Sequence, residues 1–262
     1  MKKWRLAYEL TNQFAAPVIH HSFSLRCMPE DRKWQKVADC RCKIFPDALY
    51  SCGKDSFGNR MITGCCEKPH EIFGVHVDAL VTTDNKEEPE ERQEYQLGMF
   101  RYYTSVTKPG ETLQKFYKGI AAGAAAPWAR TQELMERFCS IYQYESGSTS
   151  FFTTAEEAFS QGRGVCQDYA HILLSLCRME GMTARYAAGT IPGEGESHAW
   201  IEVYQDGFWK GFDPTHCKET DEDYIVFAVG RDAQDCSLSR GIFKGGAGQS
   251  LQVRVTMEED KT

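Results

Sequence analysis

The residues best suited to nucleophilic chemistry lie in Gly164-Val165-Cys166-Gln167-Asp168-Tyr169-Ala170-His171. Cys166 follows the glycine-flanked turn Gly162-Arg163-Gly164 and opens a stretch in which Ala170, Leu173, Leu174 and Cys177 recur at helical spacing. That spacing puts the thiol on a helix N-terminus, where unpaired amide N–H groups and the positive end of the helix dipole favour thiolate. A base and its partner follow on a hairpin. Asp206-Gly207 is a two-residue turn signal joining His198-Ala199-Trp200-Ile201-Glu202-Val203-Tyr204 to Phe208-Trp209-Lys210-Gly211-Phe212-Asp213. With Asp206 and Gly207 as the loop, Gln205 pairs with Phe208 and Trp200 falls opposite Asp213. His198 is then the diagonal neighbour of Asp213 on one sheet face, roughly 7–8 Å away between backbones and within side-chain reach. A carboxylate holding one ring nitrogen fixes the tautomer and stabilises imidazolium, leaving the other nitrogen to exchange a proton with a thiol. Cys166, His198 and Asp213 would make a nucleophilic triad, provided that helix packing brings the thiol to the sheet.

The elements that must position these groups fall into two regions. Residues 1 to about 105 read as strand, with alternation through Trp4, Leu6, Tyr8 and Leu10, a break at Ala15-Ala16-Pro17, and a second run through Ile19, His21, Phe23 and Leu25. These predict two antiparallel strands, and the frequent turn signals after them, such as Asp55-Ser56-Phe57-Gly58-Asn59, predict a sandwich. His20, His21, His70 and His76 form no ligand-like pair in the sequence and read as strand histidines. The charged run from Asp84 to Glu94 reads as a solvated loop, and Thr107-Lys108-Pro109-Gly110 marks the boundary between domains at 1–106 and 107–262. Helices are expected from Glu111, after Pro127 with Leu134, Met135, Phe138, Ile141 and Tyr142 on one face, after the capping box at Thr154, and from Cys166 to Gly181. Strands return at Thr183.

Composition narrows the chemistry. With 42% hydrophobic and 12% aromatic residues the chain can bury a large core, so it needs no disulfide framework, and its eleven irregularly spaced cysteines read as reduced. A net charge of −7 argues against a nucleic-acid partner, which would require a basic stripe. No apolar run approaches membrane-spanning length and no signal-like segment follows Met1-Lys2-Lys3, so a cytosolic chain without a membrane partner is expected. Cys40-Arg41-Cys42 and Cys65-Cys66 lack zinc-site spacing, and Glu219-Thr220-Asp221-Glu222-Asp223 lacks the calcium-loop pattern, so neither a metal nor another cofactor is expected.

The blocks around Cys166, His198 and Asp213, with Ala184-Arg185-Tyr186 and Gly211-Phe212-Asp213-Pro214-Thr215, resemble the bacterial transglutaminase-like cysteine enzymes. Pro17-Val18 and Phe57-Gly58-Asn59 resemble that family's N-terminal β domain, and Tyr224 to Asp232 with Gly241 to Gly246 its closing segments. The resemblance implies an α+β chain: an N-terminal antiparallel β-sandwich, then a papain-like transglutaminase core of helices on an antiparallel sheet. It implies acyl chemistry on amides of a peptide or protein, with Cys166 as nucleophile, His198 as base and then acid, and Asp213 as orienter. The backbone N–H of Cys166 is the expected oxyanion donor; Gln161 is a candidate for the second, and Trp200 a candidate wall of the acyl site. Trp200 and Trp209 are expected on opposite hairpin faces, His171 on an exposed helix face, Asp168 on the first helical turn, and His216 as a weaker rival to His198. Hydrolysis of peptide or isopeptide amides leads the functional readings; glutamine transamidation or deamidation is the alternative, and a binding scaffold with a vestigial triad is the third.

Overall fold

The structure is a computed structural model describing residues 1–84, 89–90, 92–246 and 248–261. The N-terminal region is built on β1 (Lys2–Leu25), a strand long enough to serve two parts of one curled sheet. Its first half pairs with β5 (His70–Thr83), which carries β2 (Gln35–Phe45) on its other edge. Its second half pairs with β4 (Arg60–Cys66), and β4 pairs with β3 (Leu49–Lys54). The break expected at Pro17 is therefore no break. It is where β1 changes partners, with the β1–β5 register jumping between Gln13 and Val18, and a residue lacking an N–H is tolerated where the ladder is interrupted. Trp4, Leu6, Tyr8 and Leu10 point inward as their alternation requires.

Five helices follow: α1 (Glu94–Gly98), α2 (Glu111–Lys118), α3 (Pro127–Cys139), α4 (Ala155–Gln161) and α5 (Cys166–Met179). The charged run read as a loop lies partly outside the described residues, and its end enters α1. Thr154 caps α4 through a reciprocal pair with Glu157, and Gly162 ends it at φ 72°. Leu134, Met135 and Phe138 of α3 are buried as expected, whereas Ile141 lies beyond the helix and is exposed. A short parallel pair, β6 (Gln143–Tyr144) and β7 (Arg163–Gly164), brackets α4. No helix among the described residues is long and apolar enough to cross a membrane.

α5 lies against a five-stranded antiparallel sheet. Its strands are β8 (Ala184–Thr190), β10 (His198–Gln205), β11 (Phe208–Asp213), β12 (Lys218–Glu219) and β13 (Ile225–Gly230), in the order β12-β11-β10-β8-β13. Between β8 and β10 the chain leaves this sheet. It forms β9 (Gly193–Gly195), which pairs with the last strand, β15 (Gln249–Glu259).

β15 runs beside β1 from Trp4 to Phe14, and β14 (Ser239–Lys244) pairs with the second half of β1. The expected 107–262 unit thus gives up its final strands to the first sheet, because β1 would otherwise present an unpaired edge along that length.

The outer edge of β13 is closed by side chains. Gln35 accepts from Val226 N at 2.8 Å and donates to Val226 O at 3.0 Å, and Asn59 does the same for Val229 at 2.8 and 2.7 Å. This gives the Phe57-Gly58-Asn59 turn its purpose: two amides stand in for a neighbouring strand.

Candidate active site

Cys166 occupies the first position of α5, after Val165 in extended conformation. Gly164 is required just before it, since a side chain there would collide with Tyr142 Oη and Asp168 Oδ2. Asp168 closes the turn by accepting from Val165 N at 2.8 Å and from Thr149 Oγ1 at 2.6 Å, the first-turn role expected of it. Ala170, Leu173, Leu174 and Cys177 are buried against the sheet face formed by Ala199, Ile201 and Val203. α5 is enclosed on its other sides too. His171, expected to be exposed, is fully buried; its Nε2 accepts from Ala233 N at 3.1 Å, and burial pushes its ring down to about 4.

The hairpin register is the one the Asp206-Gly207 turn predicts, with Gln205 opposite Phe208 and Ile201 opposite Phe212. Asp206 and Gly207 adopt φ values of 52° and 94°, the left-handed pair a two-residue turn needs. His198 Nε2 lies 2.8 Å from Asp213 Oδ2. Two further donors meet the same oxygen: His216 Nδ1 at 2.7 Å and Tyr224 Oη at 2.7 Å, while Thr215 N donates to Oδ1 at 2.9 Å. Burial alone would push the Asp213 carboxyl up, but the hydrogen bond and charge of His198, helped by His216 and Tyr224, hold it well below the usual carboxylate range. Tyr224 and the second contact of His216 are partners that register reasoning missed. Their signal was a tyrosine and a histidine within eleven residues of Asp213, too ordinary to stand out.

Cys166 and His198 open onto a common cavity of about 740 Å³, floored by Tyr144 and His216 and walled by the segment from Thr190 to Ser197 and by Val255 of β15. A second cavity, of about 370 Å³, meets the first at the same two residues and is bounded by Tyr8, Leu10 and Leu251 of the N-terminal sheet. The thiol does not carry the lowered pKa expected of a helix N-terminus. Burial pushes it up to about 12, with the N–H groups of Ala199 and Gln167 pulling the other way and Asp213 and Asp168 adding to the rise. Those two N–H groups are the backbone donors found at the sulfur.

Gln161 and Trp200 lie elsewhere. Gln161 is exposed at the end of α4, outside both cavities, so it is not placed to donate to an oxyanion there. Trp200 is buried behind His198, its ring centroid 6.2 Å from the imidazole, in a small core with Tyr224 and Val226. It walls no acyl cavity. Trp209 is on the same face as Trp200, not the opposite one, because it pairs with Tyr204, four residues along β10. The ring nitrogens of His198 and His216 and the Asp213 carboxylate lie within 4.8 Å of one another, the one such trio of potential metal ligands among the described residues.

A thiol at the head of a helix and a histidine–carboxylate pair on an antiparallel sheet thus share one cavity. The transglutaminase-like superfamily core matches residues 114–214 and the bacterial transglutaminase-like N-terminal region matches residues 5–82. The chain belongs to that superfamily and carries its bacterial N-terminal region. An uncharacterised protein of Mycobacterium leprae is 37% identical over 163 residues, covering 58% of this chain and 55% of that one. One from Mycobacterium tuberculosis is 35% identical over 127 residues, covering 42% and 40%. The chain spans about half the length of the curated relatives it matches. A crystal structure described as a "Putative Cysteine Protease from Cytophaga hutchinsonii" shares the fold, with a TM-score of 0.82 at 21% identity over 100% of this chain and 91% of the other.

Proposed function

We propose that this chain is a cysteine-dependent acyl-transfer enzyme that hydrolyses peptide or isopeptide amide bonds through a thioester on Cys166. The observation that carries the reading is the His198 Nε2–Asp213 Oδ2 contact at 2.8 Å beside a cavity that His198 shares with Cys166. With Nε2 held by the carboxylate, Nδ1 is the ring nitrogen left to take the thiol proton. Because burial opposes an isolated thiolate, the thiolate forms together with the imidazolium whose charge offsets it. Sulfur attacks the amide carbon, the oxyanion is met by backbone N–H groups at the start of α5, and His198 returns the proton to the leaving amine. Water then releases the acyl group by the reverse sequence. The description of the Cytophaga protein agrees with this reading.

The second cavity favours one further reading, in which an amine rather than water enters beside the thioester and the product is a transamidated peptide. A glutamine-containing peptide library incubated with the protein, with and without a fluorescent primary amine, tests both. Acyl-Cys166 seen by intact mass and lost in Cys166→Ala is expected for either; amine incorporation selects transfer, and amine-independent cleavage selects hydrolysis. If Cys166 forms no adduct with any peptide and reacts with iodoacetamide no faster than the other cysteines, the acyl-transfer reading falls.

A further inference from the structure

We propose that His198 Nε2, Asp213 Oδ2 and His216 Nδ1 form a binding site for a divalent transition-metal ion of the zinc type, and that filling it withdraws His198 from catalysis. The inhibitory consequence rests on the acyl-transfer reading above; the binding site does not.

The starting point is an imbalance at one atom. Asp213 Oδ2 has three donors at 2.7–2.8 Å, namely His198, His216 and Tyr224. A carboxylate oxygen offers about two lone-pair sites, so one donor is in excess. The other oxygen gives no relief, since it already accepts from Thr215 N at 2.9 Å and from His216 N at 3.4 Å. A metal ion restores the count. Each neutral imidazole turns its lone pair to the ion, Oδ2 gives it one lone pair, and the second stays with the Tyr224 hydroxyl. No electron moves; each imidazole passes the proton of the binding nitrogen to solvent and takes one up on its other nitrogen, so it stays neutral and the proton count is unchanged.

The donor set fits a borderline ion. Two imidazoles and a carboxylate suit zinc and its neighbours and do not suit magnesium or calcium, which take oxygen ligands. All three ligand atoms lie within 4.8 Å of one another. Tetrahedral bonds of about 2.0–2.1 Å space ligands roughly 3.3 Å apart, so each nitrogen–oxygen contact must open by about half an ångström. His216 can supply that shift, being half-exposed on the turn after Pro214. Tyr224 Oη and Thr215 N hold the carboxylate from outside, as a metal-bound carboxylate needs. His198 and His216 both face the larger cavity, whose other charged lining residues are Glu196 and Glu194, the latter paired with Arg254 at 2.8 Å; no lysine or arginine is among its lining residues to repel a cation.

The consequence for catalysis follows from the tautomer. A His198 bound to metal through Nε2 carries its proton on Nδ1 and has no lone pair for the thiol. The ion therefore removes the base without touching sulfur.

Zinc titrated into the full chain against a chromophoric chelator, and cobalt followed by its visible absorption, read the site without turnover. One ion per chain is expected, with a cobalt spectrum free of a thiolate charge-transfer band. Affinity should fall at least tenfold in His216→Gln, whose fold is checked by circular dichroism, and hold in Cys166→Ser. Equal affinity in His216→Gln, a thiolate band lost in Cys166→Ser, or no binding at micromolar zinc would each overturn the site. Zinc should also slow iodoacetamide labelling of Cys166 in the wild type and not in His216→Gln. Tight binding that leaves labelling unchanged would overturn the inhibitory half and count against His198 as the base for Cys166, while the metal site stands.

Discussion

The protein holds two pairs of imidazoles that differ in what lies between them. His21 and His70 touch inside the N-terminal sheet, Nδ1 to Nε2 at 3.1 Å, with rings stacked 5.4 Å apart and Phe14, Phe73 and Phe243 around them. His198 and His216 are almost equally close, 5.3 Å between centroids, but both contact the buried Asp213 carboxylate and face a cavity. In the first pair burial, aided by His70, pushes His21 down to about 4, and the two rings pack among aromatic side chains with one hydrogen bond between them. In the second a buried carboxylate lies between the two rings and a cavity lies before them. What separates the pairs is the counter-ion and the opening.

Four experiments would break or sharpen that contrast. The largest effect is expected from His198→Ala, which should lower the rate of thioester formation by about 10³- to 10⁴-fold with little change in melting temperature. A melting temperature that falls with the activity would move His198 into the structural class of His21. Asp213→Asn should cost about 10²- to 10³-fold in kcat, because an amide keeps a hydrogen bond but not the charge. Asp213→Ala should in addition destabilise by about 2–4 kcal/mol, since it strands three buried or half-buried donors; urea unfolding separates the two.

The third experiment concerns His21 and its pH dependence. His21 and the buried His171 both bind protons more weakly folded than unfolded, each at about 4 against an ordinary value of 6.5. The unfolded chain therefore takes up protons first, so stability is full above about pH 6.5 and erodes as the pH falls toward 4. Each group accounts for roughly 3 kcal/mol across that window, and His21→Gln should remove about half of the loss in chemical denaturation at stepped pH. An unchanged slope would mean that the His21 ring is not held neutral. The smallest effect is expected from Tyr224→Phe, about 1 kcal/mol in stability and a few-fold in kcat, because it takes one of the three donors at Asp213 Oδ2 and leaves the other two.

What could be read from the sequence follows the range of the interactions. The Asp206-Gly207 turn fixes the pairing of its two strands locally, so the His198–Asp213 contact was legible from spacing alone. The Thr154 cap and the glycine ends of α4 and α5 were legible for the same reason. His171 was misplaced because the helical stripe argument assumes a wet face, and α5 has almost none, enclosed by the sheet on one side and by α3 and α4 on others. The closeness of His21 and His70 depends on the β1–β5 ladder, and the return of β14 and β15 on pairings more than 200 residues apart, from Leu25–Ser239 to Trp4–Glu259, which no local pattern records. Trp209 shares the face of Trp200 because partners across a ladder share a face, and its partner Tyr204 lies four residues from Trp200.

The wall formed by β9 and Val255 means that the cavity shared by Cys166 and His198 is not the property of one module. The segment leading to His198 is pinned to a strand that is itself pinned to the first residues of the chain. A truncation that kept everything from residue 107 onward would retain Cys166, His198 and Asp213, yet β15 would lose β1 and the cavity would lose its floorboards on that side. The N-terminal sheet thus supplies one side of the space onto which Cys166 and His198 open. Moving residues 107–262 onto another partner would require recasting that side as well.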